Sequence, residues 1–397
     1  MTLTNDAAAA VAPLDPAVVH AGIEALLPRI AEGAAAADRN RRVDDEVARG
    51  LRDAGAHRFL QPAAYGGAES SVVDHVRAVA RVAEGCAAAG WCLAVWSVHN
   101  WMLAHYDAAT QAEVWGADPT AVISGSIVPK TPFPDDGDGH VLVRGRFGFA
   151  SGGDHADWLL VGGLVARDGR PTPCQTIVPA GATRLDHDSW QVMALRGTGS
   201  KDFEVDPAWP VRRDGVLFTA DIATWTAPGQ QVNRGWLYQG PYKPVALLVL
   251  APPALGAAKA ALSRFIERMG SHFLPLSGLV QRNDPAARLR VAESAAEIDA
   301  AERTLLAAAA RCDELGRRPD RDPLAEETVC RDATFAVRLC ARAVDRLFEA
   351  AGGSALQEGE PLARLWRDVH GARIHAALTW DAAAHNFANA LLGPAGA

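Results

Sequence analysis

The 397-residue sequence lacks most of the short signatures that announce a chemistry. Its six cysteines (Cys86, Cys92, Cys174, Cys312, Cys330 and Cys340) form no C-x-x-C pair. In a chain of this length they are expected as buried thiols of a reducing compartment, not as a disulfide framework. The twelve histidines include no H-E-x-x-H, and no dense Cys/His cluster is present, so no structural zinc is expected. There is no P-loop and no strand–GxGxxG–helix. The glycine-rich GTGSKD at 197–202 leads into a strand-like run, which disfavours a dinucleotide-binding fold. An excess of positive charge is also missing. The net charge of −8 disfavours nucleic acid as a partner, and no polybasic segment points to a membrane. The first residues, MTLTNDAAAAVAPLDP, lack the basic flank and long apolar core of a signal peptide. The most apolar stretch, PVALLVLAPPALGAAKAAL, is broken by Pro252, Pro253 and Lys259. A lipid-spanning helix needs about 20 apolar residues, so this stretch reads as the start of a buried helix. The expected location is cytoplasmic.

What is present falls into three zones. Residues 1–118 are alanine-rich with apolar residues at helical spacing near 16–34, 43–54, 71–89 and 91–105. Residues 119–228 carry short β-type runs, AVISGSIV, HVLVRGRFGFA, DWLLVGGLVA, CQTIVPA and DFEVD, separated by turns such as DDGDG and ARDGR. This predicts a compact antiparallel β domain. Residues 229–397 return to long helices. Asp284–Pro285 and Asp322–Pro323 each supply a cap and a starting proline. Val291, Ala295, Ile298, Leu305, Ala308 and Cys312 predict one buried stripe. The next helix should bury Val329, Ala333, Ala336, Cys340 and Leu347 and stop at Gly352–Gly353. Two such helices suggest a bundle that also pairs with other subunits.

One stretch is chemically odd. RFGFASGGDHADW (146–158) puts Ser151 on a glycine turn at the end of an aromatic strand, with His155 and Asp157 close behind. A turn serine bonding its own backbone is the plain reading. His155 and Asp157 either orient the turn or lie on the surface.

The three-zone layout resembles the acyl-CoA dehydrogenase fold over nearly the whole chain. Phe149, Ala150, Ser151 and Gly152 stand where that family has a W-I-T-N strand. ISGSIVP (123–129) resembles its preceding flavin-pyrimidine strand, and LRGTGSKDFEVD (195–206) its R-G-S motif and the strand after it. WRDVHGARIHAALTWDAAAHNFANALLG (366–393) resembles its R-D…E-G-T-x-E…LLG ending. There is one telling departure. Aligned on Thr379, Ala377 and Ala376 stand where the dehydrogenases carry their catalytic glutamate. SGxxHADW, SVHNW and a histidine ahead of the lost glutamate resemble a particular branch, the two-component flavin-dependent monooxygenases. These are similar to 4-hydroxyphenylacetate hydroxylase oxygenase components and actinobacterial tailoring hydroxylases.

The resemblance implies an α+β, mainly α chain: an N-terminal helical domain, a middle antiparallel β domain that binds flavin, and a C-terminal four-helix bundle for oligomerisation and the active site. It implies reduced flavin (FADH2 or FMNH2) and O2, reacting through a C4a-hydroperoxide to hydroxylate a phenol- or indole-like substrate. A separate NAD(P)H:flavin reductase would supply the reduced flavin, and the chain would form a homotetramer. The Ser151 hydroxyl would bond flavin N5. Ser126 and Ile127 would meet the pyrimidine edge, with Phe149, Ala150 and Gly152 beside the ring. Arg268, or Arg264, would meet a flavin phosphate, because arginine matches phosphate geometry. His99 would lie near the C4a edge, and His375 would take the place of the missing base. Which of the two accepts the substrate proton stays open, as does FAD against FMN. Trp236, in the loop QQVNRGWLYQGPYKP, and Trp380 are candidate substrate contacts. The rivals are N-oxygenation of an amino sugar, an acyl-CoA dehydrogenase with a displaced base, and a scaffold that has lost its chemistry. The intact Ser151 and its glycine turn argue against the last.

Overall fold

Aspartate–proline pairs start three of the long helices in the computed structural model, which describes residues 12–274, 278–318 and 320–393. Asp15, Asp284 and Asp322 each accept a backbone N–H of the first turn, at 2.8, 2.9 and 2.9 Å. The following proline has no N–H to orphan, so each cap contributes about 1 kcal/mol at little cost. The N-terminal helices are α1 (Pro16–Asn40), α2 (Asp45–Asp53), α3 (Val72–Gly85), α4 (Ala87–Leu103) and α5 (Ala108–Trp115). The sequence pattern placed the break between α3 and α4 near residue 90. It falls at Cys86, whose backbone is extended. All 17 residues of α4 are buried, because AAAGWCLAVWSVHNWML has no charged side chain and so no solvent face.

The β region holds two sheets. Strands β1 (Ile123–Pro132), β2 (His140–Ala150), β3 (Trp158–Arg167), β4 (Arg170–Pro179), β5 (Arg184–Asp186), β6 (Lys201–Arg212) and β7 (Leu217–Phe218) pair in the orders β1-β3-β4-β7 and β2-β6-β5. Pairing is antiparallel except between β1 and β3, which run parallel. The chain leaves the first sheet for β2 and returns, so β3 lies beside β1 in the same direction. Alternating residues of both sheets (Val141, Val143, Phe147, Phe203, Leu159, Val161 and Val178 among them) share one core. Each such fully buried side chain contributes roughly 1.5–3 kcal/mol.

Short helices α6 (Thr219–Ala223), α7 (Pro228–Val232), α8 (Trp236–Gln239) and α9 (Tyr242–Leu248) lead into α10 (Pro252–Met269). Two short strands, β8 (Phe273–Leu274) and β9 (Leu279–Val280), precede α11 (Pro285–Gly316), α12 (Pro323–Ala351), α13 (Pro361–Arg373) and α14 (Trp380–Leu392). Helices α10 to α13 form the bundle, and α14 packs on α12. The apolar stretch that includes α9 and α10 lies inside the protein, as its proline breaks implied. On α11 the buried stripe follows the expected residues from Ile298 onward. Its first turns run through Ser294 and Glu297 instead of Val291 and Ala295. The reason is Arg346 of α12, which donates to both, at 3.2 and 2.8 Å.

Candidate active site

Ser151 follows directly on β2, where the chain leaves the sheet. Phe149 adopts left-handed backbone (φ 67°) and Gly152 does the same (φ 67°). A Cβ at Gly152 would meet the Trp96 indole at 2.5 Å, so glycine is required there on two counts. The indole N–H of Trp96 reaches the Gly152 carbonyl at 3.4 Å, and that of Trp91 reaches Ser151 Oγ at 3.1 Å. Helix α4 thus holds the turn through two tryptophans one and a half turns apart. Ser124 of β1 fixes it from the other side, donating to the Ser151 carbonyl at 2.7 Å.

A second turn, residues 195–200, closes on the first. The Gly152 N–H donates to the Thr198 carbonyl at 2.8 Å. Ser151 Oγ lies 2.7 Å from Ser200 Oγ, which lies 2.6 Å from Thr198 Oγ1, and Thr198 Oγ1 donates to the Leu195 carbonyl at 2.8 Å. Lys201 then pairs with both oxygens of Asp154, at 2.6 and 2.8 Å, in an ion pair almost wholly out of solvent. His155 binds the Val43 carbonyl at 3.0 Å, and Asp157 accepts the Val122 N–H at 2.8 Å and pairs with Arg52. Of the two readings open for His155 and Asp157, the orienting one fits these bonds.

Three residues of α4 lie along one face of the helix. Trp91, Val95 and His99 recur every fourth position and so share one face. They keep 4, 8 and 6% of their surface, while Leu93, Ala94, Ser97, Asn100, Trp101 and Leu103 keep none. His99 lies beside the backbone of Ile123 and Ser124, and its Nδ1 has no partner. Burial lowers its pKa to about 4. At the other end, about 12 Å along the helix, the Trp91 ring packs edge-on against His375, with centroids 5.2 Å apart. His375 touches solvent in the single chain, yet enough protein surrounds it that desolvation lowers its pKa. Its Nδ1 accepts the Ala377 N–H at 3.2 Å.

The remaining candidates divide. Phe149 is 74% exposed beside Trp190, an aromatic ring presented outward next to Ser151. Ala150 is fully buried, and Ser126 and Ile127 are half-buried on β1. Arg268 bonds the Ala351 carbonyl at 3.0 Å and the Ser354 hydroxyl at the end of α12, leaving its buried Nε without a partner. Arg264 instead pairs with Glu267 at the surface. Trp236 is stacked under Arg317 at 3.8 Å, and Trp380 packs against Phe335 and Arg338 of α12. Among the described residues, neither ring stacks on or hydrogen-bonds to the Ser151 group. A recess of about 340 Å³ beside Ile266, Met269, Arg282 and Arg288 shares no residue with that group either. The chemistry of Ser151, not the size of a recess, decides the site. Sequence reasoning missed Trp91, Ser124, Thr198 and Ser200 as participants. The signal for the last two was GTGSKD, an R-G-S-like motif without a phosphate-binding helix.

The chain matches the acyl-CoA dehydrogenase N-terminal domain over residues 24–117 and the C-terminal domain over 248–380. It is 35% identical to the flavin-dependent monooxygenase oxygenase subunit HsaA of Rhodococcus jostii, over 89% of this chain and 93% of that one. The chain belongs to the flavin-dependent monooxygenases, as an oxygenase component. It is 30% identical to the FADH(2)-dependent resorcinol hydroxylase oxygenase component of a Rhizobium strain, over 89% and 88% of the two chains. The crystal structure of the HsaA monooxygenase from M. tuberculosis superposes with a TM-score of 0.88 at 34% identity, covering 97% of this chain and 99% of that one. The acyl-CoA dehydrogenase fold expected from the motifs is therefore the fold observed, and reduced flavin is the cofactor of this oxygenase component. The residues fit such a group. A planar ring finds an exposed aromatic in Phe149, a hydroxyl in Ser151 and close backbone at Gly152.

Proposed function

We propose that this oxygenase component hydroxylates a phenol- or indole-like aromatic, with reduced flavin supplied by a separate NAD(P)H:flavin reductase and O2 as co-substrate. The observation that carries the proposal is Ser151, whose hydroxyl is held by Trp91 of α4 and by Ser200. The resorcinol hydroxylase among the relatives supports a phenolic substrate by its name.

Bound reduced flavin supplies the two electrons that activate O2. Ser151 would contact its N5 edge. Ser126 and Ile127 would contact the pyrimidine, Phe149, Ala150 and Gly152 would border the ring, and Arg268 would meet a phosphate. The two histidines divide the proton work. His375 Nδ1 accepts a backbone N–H, so the neutral ring carries its hydrogen on Nε2 and can only donate there. Burial lowers the pKa of His99 to about 4, so the ring stays neutral at pH 7 and keeps one nitrogen able to accept a proton. This favours His99 as the group that accepts the substrate proton, with His375 as a hydrogen-bond donor. Trp236 and Trp380 would reach substrate only through a neighbouring subunit or a movement of α8 and α14. Exposed Phe149, Met193, Leu356, Ile374 and Leu392 suit burial in a homotetramer. The net charge of −8 accords with a cytoplasmic enzyme that takes a small molecule, not nucleic acid or membrane.

A mass-spectrometric screen of phenols, indoles and amino sugars with enzyme, flavin, reductase and NADH tests the substrate class. Product mass raised by one oxygen from a phenol or indole is expected. Oxygenation confined to amino sugars would replace the proposal with N-oxygenation.

A further inference from the structure

The chain of three hydroxyls beside Trp91 has a direction, and that direction follows from which atoms can donate. The Leu195 carbonyl only accepts, and the Trp91 indole only donates. Thr198 directs its one hydroxyl hydrogen to the Leu195 carbonyl at 2.8 Å. Its oxygen can then only accept from Ser200, at 2.6 Å. Ser200 has now directed its own hydrogen away, so across 2.7 Å it must accept from Ser151. Ser151 in turn has no hydrogen left, and one of its lone pairs already takes the Trp91 N–H at 3.1 Å. Every hydroxyl hydrogen in the chain has a partner in this arrangement. The reverse direction leaves the Leu195 carbonyl with only the Thr198 N–H, at 3.0 Å, and leaves a hydrogen on Ser151 pointing outward, so it makes one hydrogen bond fewer. Thr198, Ser200 and Ser151 keep 1, 4 and 6% of their surface, so bulk water is not present to scramble the order.

We infer that Thr198 and Ser200 are positioning residues that hold Ser151 as a hydrogen-bond acceptor, and that this makes the site select reduced over oxidised flavin. The inference rests on the placement of flavin N5 at Ser151 proposed above. Reduced flavin carries a hydrogen on N5 and can donate it to the remaining lone pair of Ser151. Oxidised flavin presents a bare N5 lone pair, and two acceptors facing one another gain nothing. An oxygenase component that receives its flavin from another protein benefits from this asymmetry: it captures the reduced form and releases the oxidised one. A lone serine, free to rotate, would serve both forms equally. The selectivity therefore belongs to the chain behind Ser151 and not to Ser151 itself.

The test is a pair of dissociation constants, for oxidised FAD and for dithionite-reduced FAD under anaerobic conditions, repeated with FMN. They are measured on the wild type and on Ser200→Ala, Thr198→Val and Ser151→Ala. Wild type should bind the reduced form more tightly. Ser200→Ala and Thr198→Val each free the Ser151 hydrogen to donate. They should tighten oxidised flavin and narrow the ratio by up to about tenfold, the value of one hydrogen bond. Thr198→Ser and Ser200→Thr keep the hydroxyls and should retain the wild-type ratio, which separates polarity from packing. Wild-type ratios in folded Ser200→Ala and Thr198→Val would overturn the inference. If Ser151→Ala changes neither constant, flavin N5 is not at Ser151. The placement itself then fails, and the inference with it.

Discussion

Asp368 Oδ1 accepts the backbone N–H of Leu195 at 2.6 Å, joining α13 to the turn that carries Thr198 and Ser200. Leu195 sits in left-handed backbone (φ 49°), a conformation a leucine does not choose unaided. Burial pushes the Asp368 carboxyl up to about 7, against the Leu195 N–H bond, with the Asp38 carboxylate of α1 adding to the shift and Arg367 and Arg364 opposing it.

The stability consequence has a definite sign. A folded-state pKa above the unfolded value of 3.8 means that ionising Asp368 costs stability between about pH 4 and pH 7. Asp368→Asn keeps an acceptor for Leu195 and removes the ionisation. Its melting temperature should gain on the wild type as pH rises from 5 to 8, by an amount equivalent to a few kcal/mol at most. Thermal unfolding at the two pH values checks this. A difference that does not grow with pH would place the carboxyl's ionisation elsewhere.

Ser151→Ala should still bind reduced flavin while diverting O2 to H2O2. Loss of one hydrogen bond at this buried hydroxyl is worth roughly 1–3 kcal/mol. Product formed per NADH consumed, with H2O2 measured alongside, reads the effect. Unchanged coupling would remove Ser151 from the chemistry.

The histidines should separate kinetically. His99→Ala should slow product formation by about 10² to 10⁴-fold while the flavin reacts with O2 at a near-normal rate, followed by stopped-flow absorbance. The acid limb of kcat/KM should lie near pH 4, because the neutral ring is the active form and its pKa is about 4. An acid limb near 6.5 that persists in His99→Ala would assign the base to another group. His375→Gln, which retains a donor, should be less impaired than His375→Ala.

Light scattering should return four times the 41.9 kDa chain mass. Charged substitutions at Ile374 and Leu392, 82% exposed each, should lower it. A monomer that turns over at the wild-type rate would contradict the tetramer.

Much of this was legible in the sequence because local rules agree with the fold. Aspartate–proline pairs marked helix starts, and Ser151 on its glycine turn stood out against its motif. The less legible parts depend on contacts distant in sequence. Trp91 reads as a core residue until its indole meets Ser151, 60 positions away. Asp368 and Leu195 lie 173 positions apart. The stripe of α11 shifts to Ser294 and Glu297 only because Arg346 approaches from α12. Trp236 lies in a loop of low periodicity, and its stacking under Arg317 is set by the end of α11. The missing carboxylate at Ala376 and Ala377 was plain once the ending was set against the resembled dehydrogenases, since a methyl group cannot act as a base.

The central claim is that the chain needs only reduced flavin, substrate and O2. The direct measurement supplies chemically reduced flavin, an aromatic substrate found in the screen, and ¹⁸O2, with no reductase and no NADH. One hydroxylated product per flavin, carrying one ¹⁸O atom, is the expected result. No labelled product from a substrate that the reductase-coupled assay does convert would contradict diffusive delivery of reduced flavin and place the electron supply in a protein contact.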